Sequence, residues 1–567
     1  MATLPTPVKD SSPSQSEPQN ILRFRQWLSL NGASLNPNIQ FIATPSGFSV
    51  HATAALDADT KVVECPFGLA ITKDVAMDSL SALLGEDGMW LCGRWSERQL
   101  ICSYLCFHWI IEEANHSQCS LNHLPYLNTL PSPSKLLTPL HFTENELEAF
   151  KGTNLYGATL DRRREWQEQW EVCKVVIDSV NPELGNAFTW EKYLTAATYV
   201  SSRSFPSTLL SPEPTLQITR DSYPVLLPGI DALNHLRGQP VSWVVSYPPT
   251  PEPTPPSQSD EDNDDSDSDS TPTPTQTSFS PSQIAFPSSS PPTTPTISLV
   301  IHTPTPSGSE LFNNYGPKPN AELILGYGFS VEGNADDTIV LRIGGSEKRW
   351  EVGRARKVAD VDEKAEGAEG KSQGEGEGEE GSVKTIWGTG VEGLWEEIVG
   401  AVVGSSRKSK AKAKAKARKQ HREEGGGLHA VQEHEEEEIN AEEEELSFED
   451  EFEAAELLRG MVQMLIDRLP IDPGDEGFES DGMREEVVKM LTDYLEGQTD
   501  ILDSLLEFAD DRAQEAIDNA RERGIELCLE GEEYEGAEDE HHTAEPEAEV
   551  EIDKAGDDEG EGSTDTS

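Results

Sequence analysis

Two short blocks concentrate the residue types that can do chemistry. In LLPGIDALNH, residues 226–235, a strand-like run meets Pro228, and Asp231, Asn234 and His235 follow at i, i+3 and i+4. A carboxylate, an amide and an imidazole then share one turn, which is either a site or a capped turn. In SGSELFNNYGPKPNAELILGYGF, residues 307–329, two Tyr-Gly pairs stand at Tyr315-Gly316 and Tyr327-Gly328. Their rings either line a pocket or serve packing with a tethered hydroxyl. Cys102-x-x-x-Cys106-x-His108 offers thiols four apart on one helical face, the spacing of metal ligands, but Ile101, Leu105 and Trp109 around them favour small buried thiols in an amphipathic helix. Gly425 to Gly427 lack the strand-to-helix context of a phosphate loop, and the carboxylate runs offer no ordered pair for acid/base work.

Taken in order, with the GFSVHA run at 47–52 and SSRSF at 201–205, the two blocks resemble the SET-domain methyltransferases. The similarity is to the branch with the plant Rubisco large-subunit lysine methyltransferase, fungal ribosomal-protein lysine methyltransferases and the actin histidine methyltransferase. It covers roughly residues 21–343 outside a Pro/Ser insert, with 320–329 its most specific part. Residues 494–502, YLEGQTDIL, resemble more weakly the helical substrate-binding domain of that branch. The resemblance implies an enzyme that transfers a methyl from S-adenosyl-L-methionine to a lysine of a non-histone protein, a ribosomal protein or translation factor being the expected class. Protein histidine as acceptor and a non-catalytic interaction module are the alternatives.

The resemblance also assigns roles. Backbone at Ser46, Gly47 and Phe48 would contact the donor, a glycine permitting close approach. Arg203 would grip the donor carboxylate through a charge-assisted pair. Asn234 and His235 would hold the methionyl amine and the adenine edge. Tyr315 would border the channel through which the methyl passes and is the expected catalytic residue, while Asp231 and Tyr327 would line the acceptor pocket with it. No metal is expected: the histone-directed SET enzymes close their channel with a zinc-bound cysteine cluster, whereas here only Cys528 follows Cys173, and Leu236 stands after His235.

The elements that must position these residues are legible as periodicities. Ile21, Leu22, Phe24, Trp27 and Leu28 recur at helical spacing; 41–43, 48–52 and 61–65 read as a hairpin and its partner strand. Helical patterning runs from about 76 to 200, and strand character returns at 223–227, 241–246 and 296–302. Between the last two lies a Pro/Ser/Thr/Asp stretch that cannot bury a core and so loops out of one discontinuous domain. The expected fold class is α+β: a β-rich SET fold interrupted by a helical insertion, then an all-α C-terminal domain. The expected divisions are a disordered 1–20, SET parts at 21–75 and 201–343 with the insert at 248–295, a helical insertion at 76–200, mostly linker at 344–445, the helical domain at 446–530 and a disordered acidic tail at 531–567.

Over 567 residues the formal charge is -60, with 104 acidic against 44 basic residues, much of it in late runs such as HEEEE near Glu435. Such a chain is expected to avoid nucleic acid and anionic membranes overall. The block RKSKAKAKAKARKQHR at 407–422 opposes that trend, as a solvated linker or as a nuclear-import or anion-binding segment. Seven cysteines without scaffold spacing predict reduced thiols, and neither a signal peptide nor an apolar run of about eighteen residues is evident. Cytoplasm or nucleus is the expected location.

Overall fold

The period-two runs of the first third form the strands they predict. Ile39–Thr44 and Gly47–Ala52 make an antiparallel hairpin around Pro45-Ser46, with Thr44 opposite Gly47. Thr296–Ile301 is buried at all six positions because it lies inside a four-stranded sheet, between Thr60–Pro66 and Val241–Ser246, with Ser34–Leu35 beyond Thr60–Pro66. Val241–Ser246 and Thr296–Ile301 pair antiparallel through six residues, so the strands before and after the long polar stretch are neighbours.

The computed structural model describes residues 17–114, 121–248, 294–344, 348–359, 383–424 and 447–525. Residues 1–16, Cys119, residues 249–293, the Gly/Glu-rich gap, Gly425 to Gly427, Cys528 and the acidic tail lie outside the described residues. Two compact units emerge: Met1–Leu130 with Arg203–Asn314, and Pro131–Ser202 with Tyr315–Ser567. These divide both the expected helical insertion and the second SET part.

In the first unit the Gln19–Leu30 helix buries Ile21, Phe24 and Leu28 and leaves Leu22 exposed. Glu97–Glu113 starts on a capping box between Ser96 and Gln99 and is buried on nearly every side. Cys102 and Cys106 lie wholly inside it. The His108 ring donates from Nδ1 to Tyr104 O at 2.9 Å and accepts the His123 N–H at Nε2, 3.1 Å. Burial lowers the His108 pKa to about 3, so this imidazole is neutral.

The second unit corrects the reading of 344–445 as mostly linker. Arg349–Gly353 pairs with Thr338–Arg342, Arg356–Ala359 pairs with Val383–Ile386, and Val391–Glu424 is a helix. Charges between the apolar positions hid the strand: Trp350 and Val352 face inward while Arg349 and Glu351 are exposed. The helix carries Val391, Leu394, Ile398 and Val402 into one core with Ile339, Leu341 and the Phe448–Ile466 and Glu485–Glu522 helices. The C-terminal helices therefore share their apolar face with a β-hairpin.

Residues 494–502 owe their pattern to the same unit. Asn320, wholly buried, donates its backbone N–H to Asp337 Oδ1 at 2.6 Å and its amide to Val331 O at 2.9 Å, while Val331 N–H returns to Asn320 Oδ1 at 2.8 Å. Gly497 faces this network: a Cβ there would stand 2.2 Å from Asp337 Oδ2. Gln498 completes it by donating to Thr338 O at 3.1 Å.

Candidate functional site

Three strands of the first unit bring the expected donor residues together. The Gly47–Ala52 strand meets residues 309–313: Leu311 N–H donates to Val50 O at 2.8 Å and Ala52 N–H to Ser309 O at 2.9 Å. On the other side of that segment Phe312–Asn313 runs parallel to Asn234–His235, and Leu236 N–H donates to Asn313 O at 2.9 Å. Ser46, Gly47 and Phe48 thus sit at the head of one strand, and Asn234 and His235 two strands away. Ser46 is exposed, and the Phe48 ring meets Phe41 edge-on at 6.5 Å.

Asn234 is exposed, and its Nδ2 donates to Glu310 Oε1 at 2.7 Å. That contact fixes which way the amide faces and turns its oxygen into the acceptor to be offered to an amine. Glu310 escaped the sequence reading because its link to Asn234 spans 76 residues.

Arg203 ends the Trp190–Arg203 helix. Its Nη1 donates to the Asp231 backbone oxygen at 3.2 Å and to Asp231 Oδ2 at 3.3 Å, with a quarter of the Arg203 side chain exposed. Asp231, expected in the acceptor pocket, is instead interior: only 3% of its side chain is exposed. Its Oδ2 accepts the Tyr126 hydroxyl at 2.7 Å and its Oδ1 the Gly229 N–H at 3.2 Å. Burial pushes the Asp231 carboxyl above its ordinary range, and Arg203 and Tyr126 only partly offset that. The carboxylate orients Arg203, and Tyr126 orients the carboxylate. The resemblance implied a place in the acceptor pocket; after the turn at Pro228-Gly229 the Asp231 side chain lies inside, on Arg203 and Tyr126.

The two expected tyrosines lie together in the second unit. Tyr315 and Tyr327 stack with centroids 5.1 Å apart and planes 27° from parallel, and Phe329 meets them edge-on at 6.4 and 6.1 Å. Lys318 Nζ stands 5.7 Å over the Tyr327 ring while paired with Glu322. Burial and the Glu322 charge push the Tyr327 hydroxyl up to about 12, so it remains a hydrogen-bond donor at neutral pH.

Gly328 ends the Asn320–Tyr327 helix in the left-handed conformation, φ 80°. A Cβ there would fall 2.7 Å from the Leu137 carbonyl carbon and 2.9 Å from Thr138 N. Gly328→Ala is therefore expected to lose at least about 2 kcal/mol in urea unfolding. It should also disturb the adjoining tyrosine pair, visible in near-ultraviolet circular dichroism.

The architecture is the SET-domain fold. Structures of the SET domain of LSMT bound to MeLysine and AdoHcy, and of Rubisco LSMT bound to AdoMet, superpose with TM-scores of 0.52 and 0.51 at 13% identity. Each alignment covers 91% of this chain and 98% of the other. Among curated proteins, the chain is similar to the ribosomal lysine N-methyltransferase set10 of Schizosaccharomyces pombe, 27% identical over 320 residues, 55% of this chain and 46% of the relative. It is also similar to the actin-histidine N-methyltransferases of Gallus gallus and Homo sapiens, each 26% identical over 218 residues, 38% of this chain and 34% of theirs. The chain spans less than half the length of these relatives. No family model matches the sequence.

Proposed function

We propose that this chain is an S-adenosylmethionine-dependent protein methyltransferase whose acceptor is a lysine side chain of a non-histone protein, a ribosomal protein or translation factor. The observation that carries the reading is the strand arrangement joining Ser46–Gly47–Phe48 to Asn234–His235 through residues 309–313. Arg203, held from behind by Asp231, adds to it.

The residue types suit the donor. Arg203 is directed by Asp231 through two long hydrogen bonds from Nη1, a quarter of its side chain is exposed, and a guanidinium is the group that pairs with a carboxylate. Asn234 offers its oxygen to an amine, and Gly47 puts no side chain in the way of the hairpin backbone. The donor, when bound, supplies a methyl activated by its sulfonium.

The tyrosine cluster suits the acceptor. A lysine amine, with a reference pKa of about 10.4, must lose its proton before it can attack a methyl group. The stacked rings of Tyr315 and Tyr327, with Phe329 edge-on to both, form an aromatic wall that disfavours the ammonium form. Tyr327, protonated at neutral pH, orients rather than deprotonates. Tyr315 is assigned to the methyl channel, where alignment of the amine lone pair with the methyl supplies much of the acceleration.

The test is methyl transfer by the full chain to purified ribosomal subunits and to a soluble protein extract, with mass spectrometry of the modified residue. Lysine methylation that falls about 100-fold in Tyr315→Phe while donor binding is kept is the expected result. Unchanged turnover in that variant would remove Tyr315 from the mechanism. Methylhistidine as product would move the acceptor to the imidazole.

A further inference from the structure

The Val391–Glu424 helix has two halves of different character. Its first half packs, with Val391, Leu394, Ile398 and Val402 in the core. From Arg407 onward every described side chain is exposed: Arg407, Lys408 and Ser409, then Lys412, Ala413, Ala415 and Lys416, which at about 100° per residue spread over about two-thirds of the helix circumference. Nine of the sixteen residues from 407 to 422 are Lys or Arg. Ala and Lys are strong helix formers, and cations near a helix C-terminus are favoured by its dipole, so the sequence sustains a helix without packing.

We propose that this basic helical arm binds the phosphate backbone of nucleic acid. The arm has neither the apolar face of a helix that inserts into a bilayer nor the i, i+3, i+4 stripe of one that fills a protein groove: Ser409, Gln420, His421 and alanines lie between its cations. What it offers is charge density. Sixteen residues at about 1.5 Å each span about 24 Å, one cation per about 2.7 Å, comparable with the one charge per about 1.7 Å of duplex DNA. The whole chain is acidic, so the arm is a local exception whose attraction is confined to about one Debye length, about 8 Å at physiological salt.

The test uses the full chain and a fluorescent 20-base-pair RNA duplex, with a DNA duplex of equal length alongside, followed by anisotropy at 50 and 200 mM salt. Engagement of four phosphates predicts an affinity loss of about 100-fold between those salts, as counterion release requires. The triple variant Lys408→Glu, Lys412→Glu, Lys416→Glu lies outside the core and is expected to bind at least 30-fold more weakly, with Lys→Gln at the same positions intermediate. Binding of either duplex supports the proposal, and a preference for one of them identifies the source. No binding by the wild type at 50 mM salt, or binding unaffected by the triple variant, overturns it. Competition by polyglutamate as effective as that by unlabelled duplex, at equal charge concentration, overturns it in favour of an acidic polypeptide as the occupant.

Discussion

Arg484→Ala is expected to destabilise the second unit by about 3–5 kcal/mol, the loss that follows when one partner of a buried ion pair is removed. Glu146 has no exposed side-chain surface, and Arg484 grips it as a fork, Nε to Oε1 at 2.8 Å and Nη2 to Oε2 at 2.7 Å. The Arg484 backbone N–H adds 2.9 Å to Oε1, and its guanidinium also donates to Leu136 O and His141 O at 3.2 and 3.1 Å. Without Arg484 the carboxylate stays buried and unpaired.

Burial pushes the Glu146 carboxyl up, but the Arg484 contacts and the Thr143 N–H outweigh it and bring it down to about 2. The unfolded value is about 4.3. A depressed carboxylate contributes its stability above the unfolded pKa and loses it as pH falls toward the folded one. Wild type should therefore weaken between about pH 5 and pH 2 more steeply than Glu146→Gln. Urea unfolding at pH 7 and pH 4 reads both effects, and equal slopes in the two proteins would show that the pair carries no pH-linked stability.

Asp231→Ala should abolish donor binding and cost about 3 kcal/mol, since it leaves the buried Tyr126 hydroxyl without its acceptor and removes the group that aims Arg203. Asp231→Asn separates the two roles. An amide of the same shape whose oxygen takes the Oδ2 position keeps the acceptor for Tyr126 and Arg203 and loses only the long Gly229 N–H contact at Oδ1, so it should keep most of the stability. It can still accept from Tyr126, while the loss of charge leaves Arg203 less firmly directed. The expected result is near-native unfolding with donor affinity about tenfold weaker, close to 1.4 kcal/mol. Undiminished affinity in both variants would mean that Asp231 does not support the site.

The parts of this molecule that sequence made legible are those encoded locally. Alternation marked Gly47–Ala52 and Val241–Ser246, and the polar stretch between two strand-like runs implied that Val241–Ser246 and Thr296–Ile301 belong to one domain, in which they are paired neighbours. Asn234 and His235 stood out because they are neighbours. Tyr126 and Glu310, which hold Asp231 and Asn234, did not, because hydrogen bonds spanning 105 and 76 residues leave no spacing to read. The inward turn of Asp231 was not legible for a related reason: sequence says nothing of which way a side chain turns after a glycine with φ 88°. Trp350 and Val352 were passed over because two apolar residues between charges give too short a period, and the Glu146–Arg484 pair joins segments 338 residues apart.

Calorimetric titration of the full chain with S-adenosylmethionine reads donor binding without any knowledge of the acceptor. Saturable binding by the wild type, lost in Arg203→Ala and in Asn234→Ala with each variant folded by circular dichroism, is the expected result. Absence of binding by folded wild type would contradict the proposed methyltransferase function and leave the SET fold here as an interaction module.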